Sequence, residues 1–350
     1  MLRLFHHIGS NVSRPKKLGC SNVTVDTGLM ALPATHAKFA DPDRTAKGEP
    51  RASVRLKRIE TLWFNTGTLC NITCVNCYIE SSPTNDRLAY LTAADVRAFI
   101  NELDDERMGP REIGFTGGEP FMNPDILVML DYALGRGHEV LVLTNAMQPM
   151  QRPAIKTGLM DLKRRYGDGL RIRVSLDHYT AALHEAERGP KTFARTLVGL
   201  DWLAENGFNM AIAGRTCWNE PEAMERQGYE RLIAERGWLV DPADPKALML
   251  LPEMDGSNEV PEITTACWGI LGKQPTDMMC ATSRMIVKRK GEANATVLPC
   301  TLLPYDKAFE MGATLEAAAA ADGGMFTQGA VKLCHINCAK FCVLGGGSCS

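Results

Sequence analysis

The stretch Cys70-Asn71-Ile72-Thr73-Cys74-Val75-Asn76-Cys77-Tyr78 places three thiols in C-x3-C-x2-C spacing on a loop that follows an apolar run. In protein-bound [4Fe–4S] clusters each iron usually binds one thiolate. Three closely spaced cysteines would therefore hold three irons and leave the fourth open to a small molecule. Close thiol pairs also suit zinc, but structural zinc takes four protein ligands. The loop favours an iron–sulfur cluster with an open iron, and zinc is the alternative.

A second motif, Gly117-Gly118-Glu119-Pro120, follows the apolar, strand-like run Ile113-Gly114-Phe115. Two glycines let the backbone approach a ligand closely, and a neighbouring carboxylate can meet an ammonium group. With these two motifs in this order, the chain resembles the radical S-adenosylmethionine (radical SAM) superfamily from about residue 59 to residue 255. The hallmarks of that family are CxxxCxxC, usually with an aromatic residue beside the last cysteine (here Tyr78), and a GGE motif after the next strand.

The resemblance implies that Cys70, Cys74 and Cys77 hold a [4Fe–4S] cluster whose open iron is chelated by S-adenosylmethionine (SAM). It also implies that Tyr78 and the segment 117–120 contact SAM. A reductant such as flavodoxin or ferredoxin would supply the electron. Reductive cleavage of SAM would give a 5′-deoxyadenosyl radical, which takes a hydrogen atom from a substrate carbon.

The composition of the 350 residues is that of an ordinary globular protein, with 45% hydrophobic and 23% charged residues. A net charge of −2 gives no electrostatic reason to expect a nucleic-acid partner. No apolar run approaches the ~20 residues that span a bilayer, and no export signal is recognisable. The twelve cysteines are spaced for metal ligation rather than for disulfides, so we expect a cytoplasmic protein with no membrane partner.

Strands and helices alternate from residue 59 onward, whereas residues 1–58 lack any sustained period and are interpreted as an irregular extension. The alternation predicts six parallel βα units. Together with the resemblance, it predicts an α/β fold: a partial (β/α)6, TIM-like radical SAM barrel over 59–255, followed by a small cysteine-rich auxiliary-cluster domain over 256–350. Ligands in such sheets gather at the carboxyl ends of the strands.

Polar residues occur at those strand ends: Asn145, Ser175, Asp177 and Arg215. In the family such positions often bind the ribose hydroxyls and the carboxylate of SAM, and the chemistry of these side chains is suitable. Loop capping is the competing interpretation for each of these residues. His178 could exchange protons with substrate, although a lone loop histidine is more often a surface residue.

The C-terminal cysteines flank a predicted β-hairpin around Gly291, whose antiparallel pairing would bring Cys280 and Cys300 together. A short helix and further cysteines follow, a pattern that resembles the auxiliary-cluster extensions called twitch and SPASM. One auxiliary [4Fe–4S] cluster would use Cys280, Cys300, Cys338 and Cys342. The tail spacing departs from the usual SPASM run, so Cys349 or Cys334 could replace one ligand, Cys267 could join a second cluster, and a structural zinc stays possible.

The predicted function is therefore that of a radical SAM oxidoreductase, and two substrate classes stay open. Relatives with such extensions either modify residues in a peptide or oxidise a small molecule. The alternative from another class is an iron–sulfur electron-transfer or redox-sensing protein that does not turn SAM over. Such a carrier would not need the Gly-Gly-Glu-Pro motif.

Overall fold

The computed structural model describes residues 37–103, 112–216, 218–252 and 259–345. The strands in chain order are β1 Ser53–Val54, β2 Thr61–Asn65, β3 Glu112–Thr116, β4 Glu139–Thr144, β5 Leu170–Ser175, β6 Asn209–Arg215, β7 Leu248–Leu251, β8 Ser283–Val287, β9 Thr296–Leu298, β10 Phe326–Thr327 and β11 Ala330–Lys332. The α-helices are α1 Ala93–Glu102, α2 Ile126–Gly135, α3 Gln148–Gln151, α4 Pro153–Tyr166, α5 Ala181–Arg188, α6 Thr192–Glu205, α7 Glu222–Arg236, α8 Cys267–Leu271 and α9 Leu315–Ala320, and a π-helix covers Cys338–Leu344.

Six parallel strands joined by helical connections form the centre of the fold. The sheet order is β7-β6-β5-β4-β3-β2-β8-β9, and β2 to β7 are parallel neighbours. The strands are mostly buried, as expected for a sheet covered on both faces, although Arg171 and Arg173 alternate with apolar residues in β5. The predicted α/β architecture with its six βα units is confirmed.

The β8–β9 hairpin extends this same sheet rather than standing apart from it. Strand β8 pairs in parallel with β2, Leu62 opposite Arg284, and β9 pairs antiparallel with β8. The described residues from 37 to 345 accordingly cluster as one unit. The expected boundary near residue 255 falls in the segment 253–258, outside the described residues, so the three-part division stays a prediction.

Residues 37–58 pack on the C-terminal part of the chain. Strand β1 joins β11 and β10 in a small antiparallel sheet. Arg51 donates to Glu262 through a buried ion pair of 2.6 Å and to the carbonyl of Leu333. The extension is therefore ordered over this part, by contacts that carry no periodic sequence signal. Along the described ranges, we find no helix that has both the length and the apolarity to cross a membrane.

Candidate functional site

The three clustered cysteines face one cavity at the carboxyl ends of the parallel strands. Its volume is about 1270 Å³, including space open to solvent. The polar and glycine residues that line it with these thiols include Tyr78, Gly117, Gly118, Asn145, Arg173, Ser175, Asp177, Arg188 and Arg215. All four strand-end residues singled out in the sequence, Asn145, Ser175, Asp177 and Arg215, thus line a single cavity.

The cysteine loop is held in position by the ends of α5 and β6. The amide of Val75 donates to the Glu187 carbonyl (2.8 Å), and the Asn76 side-chain amide donates to the Glu187 carboxylate (2.9 Å). Arg215 in turn donates to the carbonyl of Asn76 (3.0 Å). Arg215 therefore stabilises the position of the loop from the cavity wall. This role was not predicted from the sequence, which suggested only a contact with the SAM carboxylate.

The two glycines of the Gly-Gly-Glu-Pro motif lie against the backbone of the cysteine loop. The amide of Gly118 donates to the carbonyl of Gly67, and that of Glu119 donates to the carbonyl of Leu69. A Cβ on Gly118 would come within 2.1 Å of the Leu69 carbonyl oxygen, and Gly117 has a φ of +136°. Glycine is required here by close packing on the loop, as well as by any approach to a ligand.

The Glu119 carboxylate is buried behind the cavity wall. It accepts from the Thr144 hydroxyl (2.8 and 3.0 Å) and from the amides of Asn145 (2.9 Å) and Phe121 (3.1 Å). Burial raises its pKa to about 7, against the effect of these donors. Glu119 and Pro120 are not among the cavity-lining residues, so their contact with SAM stays a prediction, and the geometry gives Glu119 the role of joining the ends of β3 and β4.

Asp177 forms a bidentate ion pair with Arg188 inside the cavity wall. Its oxygens accept from Arg188 Nε (2.7 Å) and Nη2 (2.9 Å), and Arg215 Nε lies 3.8 Å from Oδ1. Burial raises the pKa of Asp177, but Arg188 and then Arg215 outweigh it and hold the pKa below its usual value. The carboxylate is thus ionised and already paired, which limits the hydroxyl binding that was predicted for it.

Helix α5, which supplies Glu187 and Arg188, was missed in the sequence. The signal was present in the stop Gly189-Pro190 after an amphipathic segment. Asn145 and Ser175 do line the cavity, and the Asn145 amide donates to Asn71 Oδ1 (2.9 Å).

His178 lies outside the cavity lining. It is buried, with one ring nitrogen 2.9 Å from the Thr180 hydroxyl and the other 3.1 Å from Glu220. Both nitrogens are therefore engaged within the protein. The proposed proton exchange with substrate finds no support in this position.

The loop thiols suit a metal centre chemically. Burial, with a smaller contribution from Glu119, raises the pKa of Cys70 to about 12, and burial also raises that of Cys74. Thiols of this kind stay neutral unless a metal deprotonates them. The positive charges of Arg188 and Arg215, which lower the pKa of Cys74, would stabilise the thiolates that a bound cluster requires.

Four C-terminal cysteines also converge. Cys280 precedes β8, Cys300 follows β9, and Cys338 and Cys342 lie on the π-helix. Burial raises the pKa of Cys338 well above its usual value, and the nearby thiols of Cys300, Cys280, Cys342 and Cys334 raise it further. Burial raises the pKa of Cys280 to about 12.

The remaining predicted cysteines are placed differently. The Cys334 thiol donates to the carbonyls of Phe39 (3.2 Å) and Asp41 (3.3 Å), and Cys267 lies against Thr264. Cys20, Cys217 and Cys349 are outside the described residues. Within the described ranges, no three or more His, Cys, Asp or Glu side chains are arranged to hold a metal ion. An iron–sulfur cluster does not need its ligands around one point, because each thiolate binds a different iron.

Comparison with known proteins gives one family. The sequence model described as "Radical SAM superfamily" matches residues 64–216. The chain is 30% identical over 145 residues to the antilisterial bacteriocin subtilosin biosynthesis protein AlbA of Bacillus subtilis (strain 168), a match that covers 41% of this chain and 30% of AlbA. It is also 30% identical over 144 residues to the AdoMet-dependent heme synthase of Methanosarcina barkeri (strain Fusaro / DSM 804), covering 41% of this chain and 38% of that protein.

Among solved structures, SuiB of Streptococcus suis bound to S-adenosylmethionine is similar in fold, with a TM-score of 0.54 at 14% identity. The match covers 77% of this chain and 67% of SuiB. The chain therefore matches about a third of the length of the two curated relatives, and the similarity to SuiB concerns the fold alone. The family uses a [4Fe–4S] cluster and SAM.

Proposed function

Residues 64–216 form a radical SAM domain, and from this premise we propose that the chain is an enzyme that cleaves SAM reductively and uses the resulting radical to oxidise a residue of a peptide substrate. The cluster and SAM, when bound, supply the 5′-deoxyadenosyl radical that abstracts a substrate hydrogen atom. Cys70, Cys74 and Cys77 would hold the cluster, and a reductant such as flavodoxin or ferredoxin would deliver the electron.

One observation carries the oxidative part of the proposal: the cavity has a wall that belongs to the second group of thiols. Met279, Leu302 and Phe341 line the same cavity as the loop cysteines. Each lies within three residues of a cysteine of the C-terminal group: Met279 of Cys280, Leu302 of Cys300 and Phe341 of Cys338. A substrate between SAM and this wall would therefore lie next to a second redox centre, which would supply an electron acceptor.

The protein's own residues orient the reactants and exclude water. Arg215 and the Asp177–Arg188 pair place charge at one side of the cavity, where the polar groups of SAM would bind. Leu143, Leu251 and Leu302 add apolar lining to the cavity, which protects a carbon radical from proton and solvent chemistry. The side chain of Asn145 reaches towards the cysteine loop and can bond a hydroxyl or carboxylate there.

The substrate class rests on the relatives. AlbA is named for the biosynthesis of a bacteriocin, which supports a peptide, while the heme synthase supports a small molecule as the second candidate. Mass spectrometry of peptides and small molecules from cells with and without the protein separates the two. A mass decrease of a few daltons in one peptide would support the peptide proposal, and a change confined to small molecules would replace it.

The radical chemistry has its own test. Anaerobically reconstituted protein with dithionite and SAM should release 5′-deoxyadenosine, and the variant with Cys70, Cys74 and Cys77 all changed to Ala should not. Equal release from both proteins would overturn the assignment of these three cysteines, and no release from either would leave the alternative of an electron carrier or redox sensor. The same variant should retain about four irons if the second group of thiols holds a cluster.

A further inference from the structure

Arg284 is a buried arginine beside the C-terminal thiols. It lies in β8, is 1% exposed, and is among the largest fully buried side chains of the chain. Its Nη1 donates to the carbonyls of Cys280 (2.7 Å) and Ser283 (2.8 Å). Within the described residues, its Nε and Nη2 have no hydrogen-bond partner. A guanidinium with two unused donors in the core is unusual, because buried polar groups are normally bonded.

Among the described residues, no carboxylate is paired with Arg284, and the ionisable groups next to it are the thiols of Cys280 and Cys300. The guanidinium stays protonated at neutral pH. Two other largely buried arginines are paired with carboxylates, Arg51 with Glu262 and Arg188 with Asp177.

A buried cation without a counter-charge is costly by several kcal/mol. Neutral thiols cannot compensate it, whereas thiolates bound to a metal centre can. Cys280 and Cys300 flank the hairpin that carries Arg284, and Cys338 and Cys342 lie on the π-helix. The cost of burying Arg284 is thus explained if this group of thiols holds an anionic cluster.

We propose that Arg284 is the fixed counter-charge of the auxiliary iron–sulfur cluster, to whose sulfur atoms its Nε–H and Nη2–H donate. This inference rests on the auxiliary cluster of the proposed function. A positive charge beside the cluster stabilises the reduced form, which carries one more negative charge, and therefore raises the reduction potential. Arg284 is a positioning residue that makes the cluster a better electron acceptor.

The test is the potential of the auxiliary cluster measured alone, in the full-length variant that lacks Cys70, Cys74 and Cys77. Arg284→Gln removes the charge and Arg284→Lys keeps it. Arg289→Gln is the matched control, because Arg289 lies on the same hairpin but is paired with Glu310. Electron paramagnetic resonance during a redox titration reports the potential, and iron analysis reports cluster content.

We expect Arg284→Gln to lower the equilibrium constant for reduction at least tenfold, which is about 59 mV for a one-electron couple. Arg284→Lys and Arg289→Gln should stay within a factor of three of the parent. A Gln variant that keeps its iron at an unchanged potential would overturn the proposal. If the Gln variant loses its iron, the Lys variant decides: iron and potential close to those of the parent would support the role of the charge. Loss of iron in the Lys variant as well would overturn the proposal.

Failure of the proposed function can be distinguished from failure of this inference. If the parent variant contains no iron, the C-terminal thiols hold no iron–sulfur cluster, and the inference about Arg284 fails with it. Iron that is present at a potential insensitive to Arg284 would leave the cluster standing and remove only the role of the arginine.

Discussion

The two groups of thiols are built in opposite ways. Cys70, Cys74 and Cys77 lie on one continuous loop after β2, so their proximity is local. The second group draws Cys280, Cys300, Cys338 and Cys342 from the two ends of a hairpin and from a π-helix. The first group depends on the conformation of one loop, whereas the second depends on the packing of several distant segments.

This difference predicts different weak points. The cysteine loop is fixed by backbone contacts to Gly118 and Glu119, so a local change should displace it alone. The second group relies on residues 37–58, which tie the chain before the π-helix to the rest of the fold through Arg51 and the carbonyl of Leu333. Iron counts in variants can therefore separate the two sites.

The largest effect is expected for Gly118→Val. The Cβ would lie 2.1 Å from the Leu69 carbonyl oxygen, which is backbone and cannot move without moving the cysteine loop. We expect release of 5′-deoxyadenosine to fall more than a hundredfold and about four irons to be lost, while the auxiliary cluster keeps its own.

Gly269→Val is the matched control, because a Cβ at Gly269 meets nothing within 4 Å. It should keep both activity and iron. A Gly118→Val protein with full iron and weakened SAM binding alone would show that the motif acts on the ligand and not on the loop.

The next effect is expected for Arg51→Met. Arg51 and Glu262 form an ion pair with side chains 1% and 4% exposed, and removing one partner leaves a buried charge, at a cost of about 3–5 kcal/mol. Urea unfolding should show this loss, and the auxiliary iron should be lost before the iron of the loop cluster. Arg164→Met, which removes an exposed ion pair with Asp161, should change stability by less than about 0.5 kcal/mol.

The same pair gives a pH dependence. Burial raises the pKa of Glu262, but bonds from the Ala46 amide, Arg51 and the Phe39 amide outweigh it and hold the pKa below its usual value. The unfolded chain therefore binds this proton more readily than the folded protein. The stabilisation is complete above the ordinary carboxyl pKa and is lost as the pH falls through the lowered value. Glu262→Gln should flatten this part of the acid unfolding curve; an unchanged curve would contradict it.

Much of the barrel was predictable because its signals are local. Helix α4 begins at Pro153 and is followed by Gly167. Proline in the first turn and glycine just after the end are the usual sequence signals for the two ends of a helix. The parallel partnership of β8 with β2 was not predictable, since a hairpin pattern does not say what its outer edge pairs with. The Asp177–Arg188 pair also depends on α5 returning to the end of β5, a tertiary effect.

A smaller effect is expected for Glu119→Gln. The carboxylate accepts from two backbone amides and a hydroxyl, and an amide group would turn an N–H towards the N–H of Asn145 or Phe121. We expect a loss of about 1–3 kcal/mol in the free energy of unfolding of the metal-free protein, since a buried donor is left unsatisfied. Thr144→Val removes the hydroxyl that donates to Glu119 and accepts from the Ala146 amide (3.0 Å), so it should also lower the stability. If Gln is as stable as wild type, Glu119 does not join β3 to β4.

The smallest effect compares one helix start in each region. The Thr314 hydroxyl accepts from the Ala317 amide at the start of α9, and the Thr92 hydroxyl accepts from the Asp95 amide at the start of α1. Loss of such a cap costs about 1 kcal/mol. Glu102 also accepts from the Leu315 amide (2.7 Å), and Asp125 accepts from the Ala93 amide (3.0 Å), so each helix keeps a second acceptor.

We therefore expect Thr314→Ala and Thr92→Ala each to lower the free energy of unfolding by about 0.5–1 kcal/mol, with iron content unchanged. Ser at either position should restore most of the loss. Because α9 follows β9 and precedes the π-helix, a loss of auxiliary iron in Thr314→Ala but not in Thr92→Ala would show that the assembled site responds even to a small local change.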